Sequence, residues 1–235
     1  TLQLRKEFGD FVAIHGLDLK VEKGDVFALI GPNGAGKTTL LKMLAGLLEP
    51  TDGRAFIHDQ EIRFQEKSYY QMIGFMPDIY SLYEDLTVWE YLDFFAACHL
   101  IPSQERKQRI DYMIEIVNLK VKRNDLIKGL SKGMKQRLLL AKTLIHEPHV
   151  LLLDEPAAGL DPKARIELRE IIKHLQRQGK TLIVSSHILS ELEDFCNAYG
   201  IIEKGTLVKS GKFDDIDAPE NRTVHMIVIE VLNNM

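Results

Sequence analysis

The sequence is poor in cysteine, in long apolar stretches and in positive charge. Its two cysteines, Cys98 and Cys196, have no second Cys or His at metal-ligand spacing. That excludes a disulfide framework and leaves two free thiols, expected to be buried in a reducing compartment. The longest uninterrupted apolar runs, Val26–Ile30 and Phe94–Cys98, are five residues. A membrane helix needs about 20, so no helical bilayer span is encoded. The net charge of −4 argues against general nucleic-acid binding, which requires a basic face. Repeats, low-complexity tracts, heptads and Pro/Ser-rich linkers are missing, which excludes collagen, coiled coil and intrinsic disorder. What is present is 235 residues, 45% apolar and 27% charged, an ordinary soluble globular balance. A chain of this size suits one large domain or two packed lobes and buries roughly 70% of its unfolded surface. It begins with Thr1 rather than Met and shows no signal peptide, so a few native residues are expected to be missing.

Two kinds of periodicity divide the chain. Leu17, Leu19 and Val21 alternate with polar residues, as in a half-buried antiparallel strand. Val26–Ile30 is apolar throughout, as in a parallel strand covered on both faces. It runs into Gly31–Thr38 and then into a helix with Leu40, Leu41, Leu44 and Leu47 on its apolar side. Two further apolar strands are predicted. Val150–Leu153 ends at Asp154-Glu155-Pro156, and Thr181–Val184 ends at Ser185-Ser186-His187. A helix from about Pro162 to Gln178, with Pro at its first turn and Gly179 as its stop, joins them. Strands alternating with helices imply α/β architecture with a parallel sheet. From about Leu86 to Glu147 only helices are predicted. Thr87 and Glu90 form a capping box for Val88–His99, Ile110, Met113, Ile114 and Val117 recur at helical spacing, and a third helix covers Ser131–His146. An all-helical lobe is thus inserted in an α/β core. After Gly205 the chain returns as short strands, and Thr223–Leu232 reads as one more that stops without a cap. The chain is therefore expected to be a piece of something longer.

Gly31-Pro32-Asn33-Gly34-Ala35-Gly36-Lys37-Thr38 fits G-x-x-x-x-G-K-[ST], a loop whose successive N–H groups face a polyphosphate. The helix that follows adds its positive end. Lys37 supplies a point charge to the β- and γ-phosphates, and the Thr38 hydroxyl can ligate Mg²⁺. A chance glycine-rich match would lack the buried strand before it and the helix after it. Asp154 and Glu155 stand at a central strand tip, where the sheet crevice opens. Asp154 can hold Mg²⁺, usually through water, and Glu155 can take a proton from the attacking water. An isolated Asp-Glu is more often a solvated strand end, but a neighbouring phosphate loop changes that weighing. His187 ends the next strand on the same edge and is placed for γ-phosphate contact. Leu130-Ser131-Lys132-Gly133-Met134-Lys135-Gln136-Arg137 opens the third helix of the inserted lobe. On physical grounds alone it is an ordinary helix start capped by Ser131.

Together these motifs resemble the nucleotide-binding subunit of an ATP-binding cassette (ABC) transporter, over about residues 2–212. Gly31–Thr38 looks like Walker A, Val150–Glu155 like Walker B, Leu130–Gln136 like the ABC signature, Ala158–Asp161 like the D-loop and His187 like the switch histidine. The resemblance implies a P-loop NTPase (RecA-like) core with a parallel sheet, an N-terminal antiparallel β subdomain and an inserted α-helical subdomain. Core residues would be about 1–85 and 148–212, the helical signature subdomain 86–147, and 213–235 the start of a C-terminal extension. It implies ATP and Mg²⁺ as cofactors. Gly31 to Lys37, Thr38 and Thr39 would bind nucleotide, Phe8 would stack on adenine, and Ser131, Gly133 and Asp161 would complete a site across a head-to-tail dimer. Catalysis would rest on Glu155, His187 and Lys37, and metal binding on Thr38, Asp154 and Asp78. Asp78 follows Pro77 where the family has Gln, and Lys132 and Met134 replace a Gly and the Gln of the signature. The Leu-Ser-Lys-Gly-Met form is similar to a bacterial and archaeal subgroup that serves multi-span export permeases. The expected partners are such a permease and a second cassette, homo- or heteromeric, with no nucleic acid. The expected location is cytoplasmic, peripheral on the inner membrane face. Asp78–Asp85, with Tyr80, Leu82 and Tyr83 as exposed apolar anchors, would receive a coupling helix. Two other readings differ in class. A soluble ABC ATPase of translation or nucleic-acid maintenance would usually carry two cassettes or a long coiled coil. A small-molecule kinase would leave the signature helix and D-loop unexplained. Copurification with a permease favours the first reading, and ATPase stimulation by ribosomes or DNA the second.

Overall fold

Strand β3 (Val26–Ile30) is buried at every position, and its two faces serve different cores. Val26, Ala28 and Ile30 join one hydrophobic cluster, while Phe27 and Leu29 join another. Period-two alternation of side chains across a strand produces this division. In the computed structural model, described for residues 1–64, 66, 69–188, 192 and 194–213, β3 follows an antiparallel hairpin of β1 (Leu2–Phe8) and β2 (Phe11–Leu17) and leads into α1 (Lys37–Leu44). Short strands β4 (Asp52–Arg54), β5 (Phe56–Ile57) and β6 (Gln60–Glu61) come next, then β7 (Ile73–Met76). Helices α2 (Val88–Cys98), α3 (Ser103–Ile116) and α4 (Lys132–Leu144) follow one another without an intervening strand. The chain closes with β8 (Val150–Leu153), α5 (Pro162–Arg177), β9 (Thr181–Ser186), β10 (Ala198–Glu203) and β11 (Thr206–Lys212).

The main sheet has the order β11-β10-β3-β9-β8-β7, parallel except for the β10–β11 pair. A separate antiparallel sheet has the order β2-β1-β4. The architecture is therefore α/β with a mixed, mostly parallel sheet and antiparallel N-terminal strands. Residues of α4 and α5 pack on the β3 face that carries Val26, Ala28 and Ile30, and α1 packs on the opposite face with the antiparallel strands. Each fully buried Leu or Ile of these layers contributes about 1.5–3 kcal/mol.

Local signals place several helix ends. Thr87 accepts from Glu90 N while Glu90 closes the capping box on α2. Ser131 caps α4 and Asp161 caps α5, which has Pro162 at its first turn. Elsewhere the structure departs from expectation. The ladder of β2 ends at Leu17 rather than running through Val21. Leu17 and Leu19 remain buried; Leu17 still pairs with Leu4 of β1, whereas past the ladder the Leu19 N–H donates to the Thr1 hydroxyl at 2.8 Å, which in turn donates to Leu17 O at 2.7 Å. Leu47 lies past the end of α1 and is exposed, so the apolar side of that helix stops at Leu44. Cys196 is buried but Cys98 is exposed, because Cys98 is the last residue of α2 and faces outward. Tyr80 and Leu82 pack against the core, and of the three anchors only Tyr83 is largely exposed. The strand expected over 223–232 lies outside the described residues.

Arg137 ties the helical stretch to the rest. It is 5% exposed. It donates to Val117 O at 2.9 Å and Asn118 O at 3.2 Å at the end of α3, and pairs with Glu167 of α5 at 3.1 Å. Tyr80 donates to the buried Gln136 of α4 at 2.7 Å. The segment after β7 is thereby held against the first turns of α4.

Candidate active site

The loop between β3 and α1 curls because glycines let it. Gly36 has φ +106°, and a Cβ there would lie 2.9 Å from Ala13 O and 2.7 Å from the Ile14 side chain. Only glycine suits both that backbone region and that approach of β2. The first turn of α1 carries no acidic residue, so nothing in the helix itself competes for its positive end. Lys37 is 6% exposed. Its ammonium donates to Gly31 O (2.6 Å) and Pro32 O (3.1 Å) and lies 3.2 Å from Glu155 Oε1. A buried ammonium placed this way is paired and hydrogen-bonded, as burial requires.

Three parallel strands end beside the loop. Asp154, at the tip of β8, is 1% exposed. Its Oδ2 accepts from Thr38 Oγ1 at 2.7 Å and its Oδ1 from Ser185 Oγ at 2.7 Å. Glu155 follows with φ +47°, a region that a non-glycine residue adopts only where the surroundings enforce it. Its N–H donates to Ser185 Oγ at 2.9 Å, and its Oε2 lies 2.9 Å from His187 Nδ1 beyond β9. Burial pushes the Asp78 carboxyl above its ordinary range, and the charges of Asp154 and Glu155 push the same way. Lys132 and His187 oppose them.

The structure thus brings Gly31, Pro32, Asn33, Gly34, Ala35, Gly36, Lys37, Thr38 and Thr39 together with Asp154, Glu155 and His187, with Asp78 inside their electrostatic reach. Phe8 stands apart at the tip of the β1–β2 hairpin, half exposed, with Lys6 Nζ 5.2 Å from its ring centre. Ser131, Gly133 and Asp161 form another group. The Ser131 hydroxyl accepts from Met134 N (3.3 Å) and the Asp161 carboxylate from Ala164 N (2.9 Å). A Cβ on Gly133 would come within 2.7 Å of Ala164 Cβ, so glycine permits α4 to meet α5 there. Among the described residues no hydrogen bond or ion pair joins this group to the phosphate loop. Ser185 was missed as a site residue. The available signal was the pair of hydroxyl residues, Ser185 and Ser186, that closes a strand buried throughout.

The donors near Thr38 are hard oxygens: its own hydroxyl and the Asp154 carboxylate 2.7 Å away, with the Asp78 carboxylate close by. That chemistry fits Mg²⁺, which takes one or two protein oxygens and completes its shell with substrate and water. Among the described residues no group of three or more His, Cys, Asp or Glu is placed to hold a metal ion. Among the described residues, no helix is long and apolar enough to cross a membrane.

Comparison with known proteins agrees with this geometry. The pattern of a family described as ABC transporter matches residues 14–158, more than half of the chain. Over 217 residues the chain is 41% identical to an ABC transporter ATP-binding protein of Nostoc sp., covering 92% of this chain and 64% of that protein. It is 38% identical over 216 residues to the probable multidrug ABC transporter ATP-binding protein YbhF of Escherichia coli, covering 92% of this chain and 37% of YbhF. The chain thus spans less than two thirds of the length of these relatives. A solved structure of the ATP binding subunit of an ABC transporter is 28% identical, with a TM-score of 0.85 and 98% of each chain covered.

Proposed function

This chain belongs to the ABC transporter family of ATP-binding proteins, and from that premise we propose that it hydrolyses ATP to ADP and phosphate to power transport through a separate membrane-spanning permease. The observation that carries the reading is the meeting of three groups at one sheet edge: the Lys37 ammonium, the Thr38–Asp154 pair and the Glu155–His187 pair. Lys37 and the loop amides bind the triphosphate. Glu155 orients the attacking water and takes its proton, and His187 holds the Glu155 carboxylate in place. Thr38 and Asp154 would hold Mg²⁺, with Asp78 as a further oxygen ligand, and the ion would neutralise charge on the phosphate oxygens. Phe8, exposed beside β2, offers its ring to the adenine.

Ser131 and Gly133 stand at the start of α4 with no bond to the phosphate loop of their own chain, which suits a contact made to the nucleotide of a second cassette in a head-to-tail dimer. Asp161 lies at the neighbouring start of α5. The export direction draws on the form of Leu130–Arg137, and it implies residence at the inner face of a membrane through the permease. The names of these relatives describe transport proteins, so a role in translation or nucleic-acid maintenance is not favoured. The test is Glu155→Gln, which keeps size but cannot take the proton. ATP should still bind, turnover should fall by about 10²–10⁴-fold, and light scattering in Mg-ATP should report a dimer. Turnover near that of the parent would place the base elsewhere.

A further inference from the structure

Ser185 sits one residue from the end of β9, in a strand buried along its whole length, and is itself 0% exposed. A buried hydroxyl is costly unless its donor and acceptor functions are both used. Here both are used, and both on the active site. Oγ donates to Asp154 Oδ1 at 2.7 Å and accepts from Glu155 N at 2.9 Å. The second bond is made to the residue whose φ of +47° departs from ordinary backbone. Without that bond the Glu155 N–H would be buried and unpaired beside strained backbone.

His187, just past the end of β9, adds a second hold. Ser185 takes the backbone N–H of Glu155 and His187 takes its carboxylate. Asp154 is likewise held at two points, by Thr38 on Oδ2 and by Ser185 on Oδ1. We propose that Ser185 is a positioning residue: its hydroxyl couples the orientation of the Asp154 carboxylate to the backbone conformation of Glu155. One buried group thereby sets the metal-side and the base-side carboxylates together. This inference rests on the roles of Asp154 and Glu155 proposed above, and Ser185 acts only through them.

The experiment compares the parent with Ser185→Ala and Ser185→Thr. Steady-state ATPase activity, binding of a fluorescent ATP analogue against free Mg²⁺, and thermal midpoints are measured for all three. Loss of both bonds in the Ala variant should lower turnover by about 10–100-fold. It should raise the Mg²⁺ concentration for half-maximal nucleotide binding by about tenfold, as loss of a group supporting a metal ligand does. Nucleotide binding without Mg²⁺, set by Lys37 and the loop, should not change. The Thr variant keeps the hydroxyl and should recover most of both losses. An Ala variant that matches the parent in turnover and in Mg²⁺ titration overturns the proposal. So do equal losses in the Ala and Thr variants with equal drops in thermal midpoint, which would assign the effect to packing. A parent that fails to hydrolyse ATP sinks the functional reading instead, and the Mg²⁺ titration of the three proteins still decides the role of Ser185.

Discussion

Where the end of α2 meets the end of α4, the rings of His99 and His146 stack with centroids 4.1 Å apart and planes 7° apart. His146 Nε2 lies 2.9 Å from Ile73 O of β7 and donates to it, while its Nδ1 is buried without a hydrogen-bond partner among the described residues. The surroundings are cationic. Burial first, and then the charges of a protonated His99, Lys180 and Lys142, push its pKa down to about 4, against the Ile73 hydrogen bond, which raises it. Burial and Lys142 move His99 in the same direction. The folded pKa of His146 lies below its unfolded value, so the unfolded chain takes up the proton first as pH falls. The stabilisation is complete above about pH 6.5 and is lost progressively down to about pH 4. The full window is worth at most about 3.4 kcal/mol, of which about 2 kcal/mol falls between pH 7 and pH 5. Residual exposure of the ring makes these upper figures. His146→Phe keeps a ring on His99 but cannot titrate. It should cost about 1–3 kcal/mol at neutral pH through the unpaired Ile73 carbonyl, yet lose less stability on acidification than the parent. Urea unfolding followed by the single tryptophan, Trp89 of α2, at a series of pH values measures this. Curves for parent and variant that fall in parallel from pH 7 to pH 5 would refute a buried neutral His146.

Two further outcomes concern the phosphate loop and the segment after β7. Lys37→Ala should weaken ATP affinity in a calorimetric titration and cost about 3–4 kcal/mol in turnover; undiminished affinity with normal hydrolysis would remove the phosphate-loop assignment. Asp78→Ala should raise the Mg²⁺ concentration for half-maximal ATPase, and Asp78→Gln should recover much of the loss, since its amide still offers an oxygen ligand, the type Mg²⁺ prefers. If the Ala variant titrates with Mg²⁺ as the parent does, Asp78 is not at the metal.

The sequence alone determined the parts whose cause is local. A glycine-rich loop after a buried strand and before a helix is written in consecutive residues, 31–38. The capping box of Thr87 and Glu90 and the caps at Ser131 and Asp161 depend on side chains reaching their own backbone within three residues. The apolar stretches at 26–30, 150–153 and 181–184 announce strands covered on both faces, because no polar face is left over. Hydrophobic alternation at 17–21 was less informative. It marks which residues turn inward, and Leu17 and Leu19 do, but not where the ladder stops, which is at Leu17.

Tertiary structure alone decided what meets across strands. Thr38 and Asp154 are 116 residues apart and Ser185 and Asp154 are 31 apart. Their contacts exist because β3 lies between β10 and β9, and β9 between β3 and β8. The left-handed turn at Glu155 has no signature in an Asp-Glu-Pro triplet, since its support comes from a hydroxyl on another strand. The depressed pKa of His146 arises in the same way, from burial where separate elements meet and from the His99 ring and the lysines they bring to it. Residue order encodes which faces are apolar and where local caps form, while strand order and register choose the polar partners. Those partners are what turn a phosphate-binding loop into a candidate catalytic site.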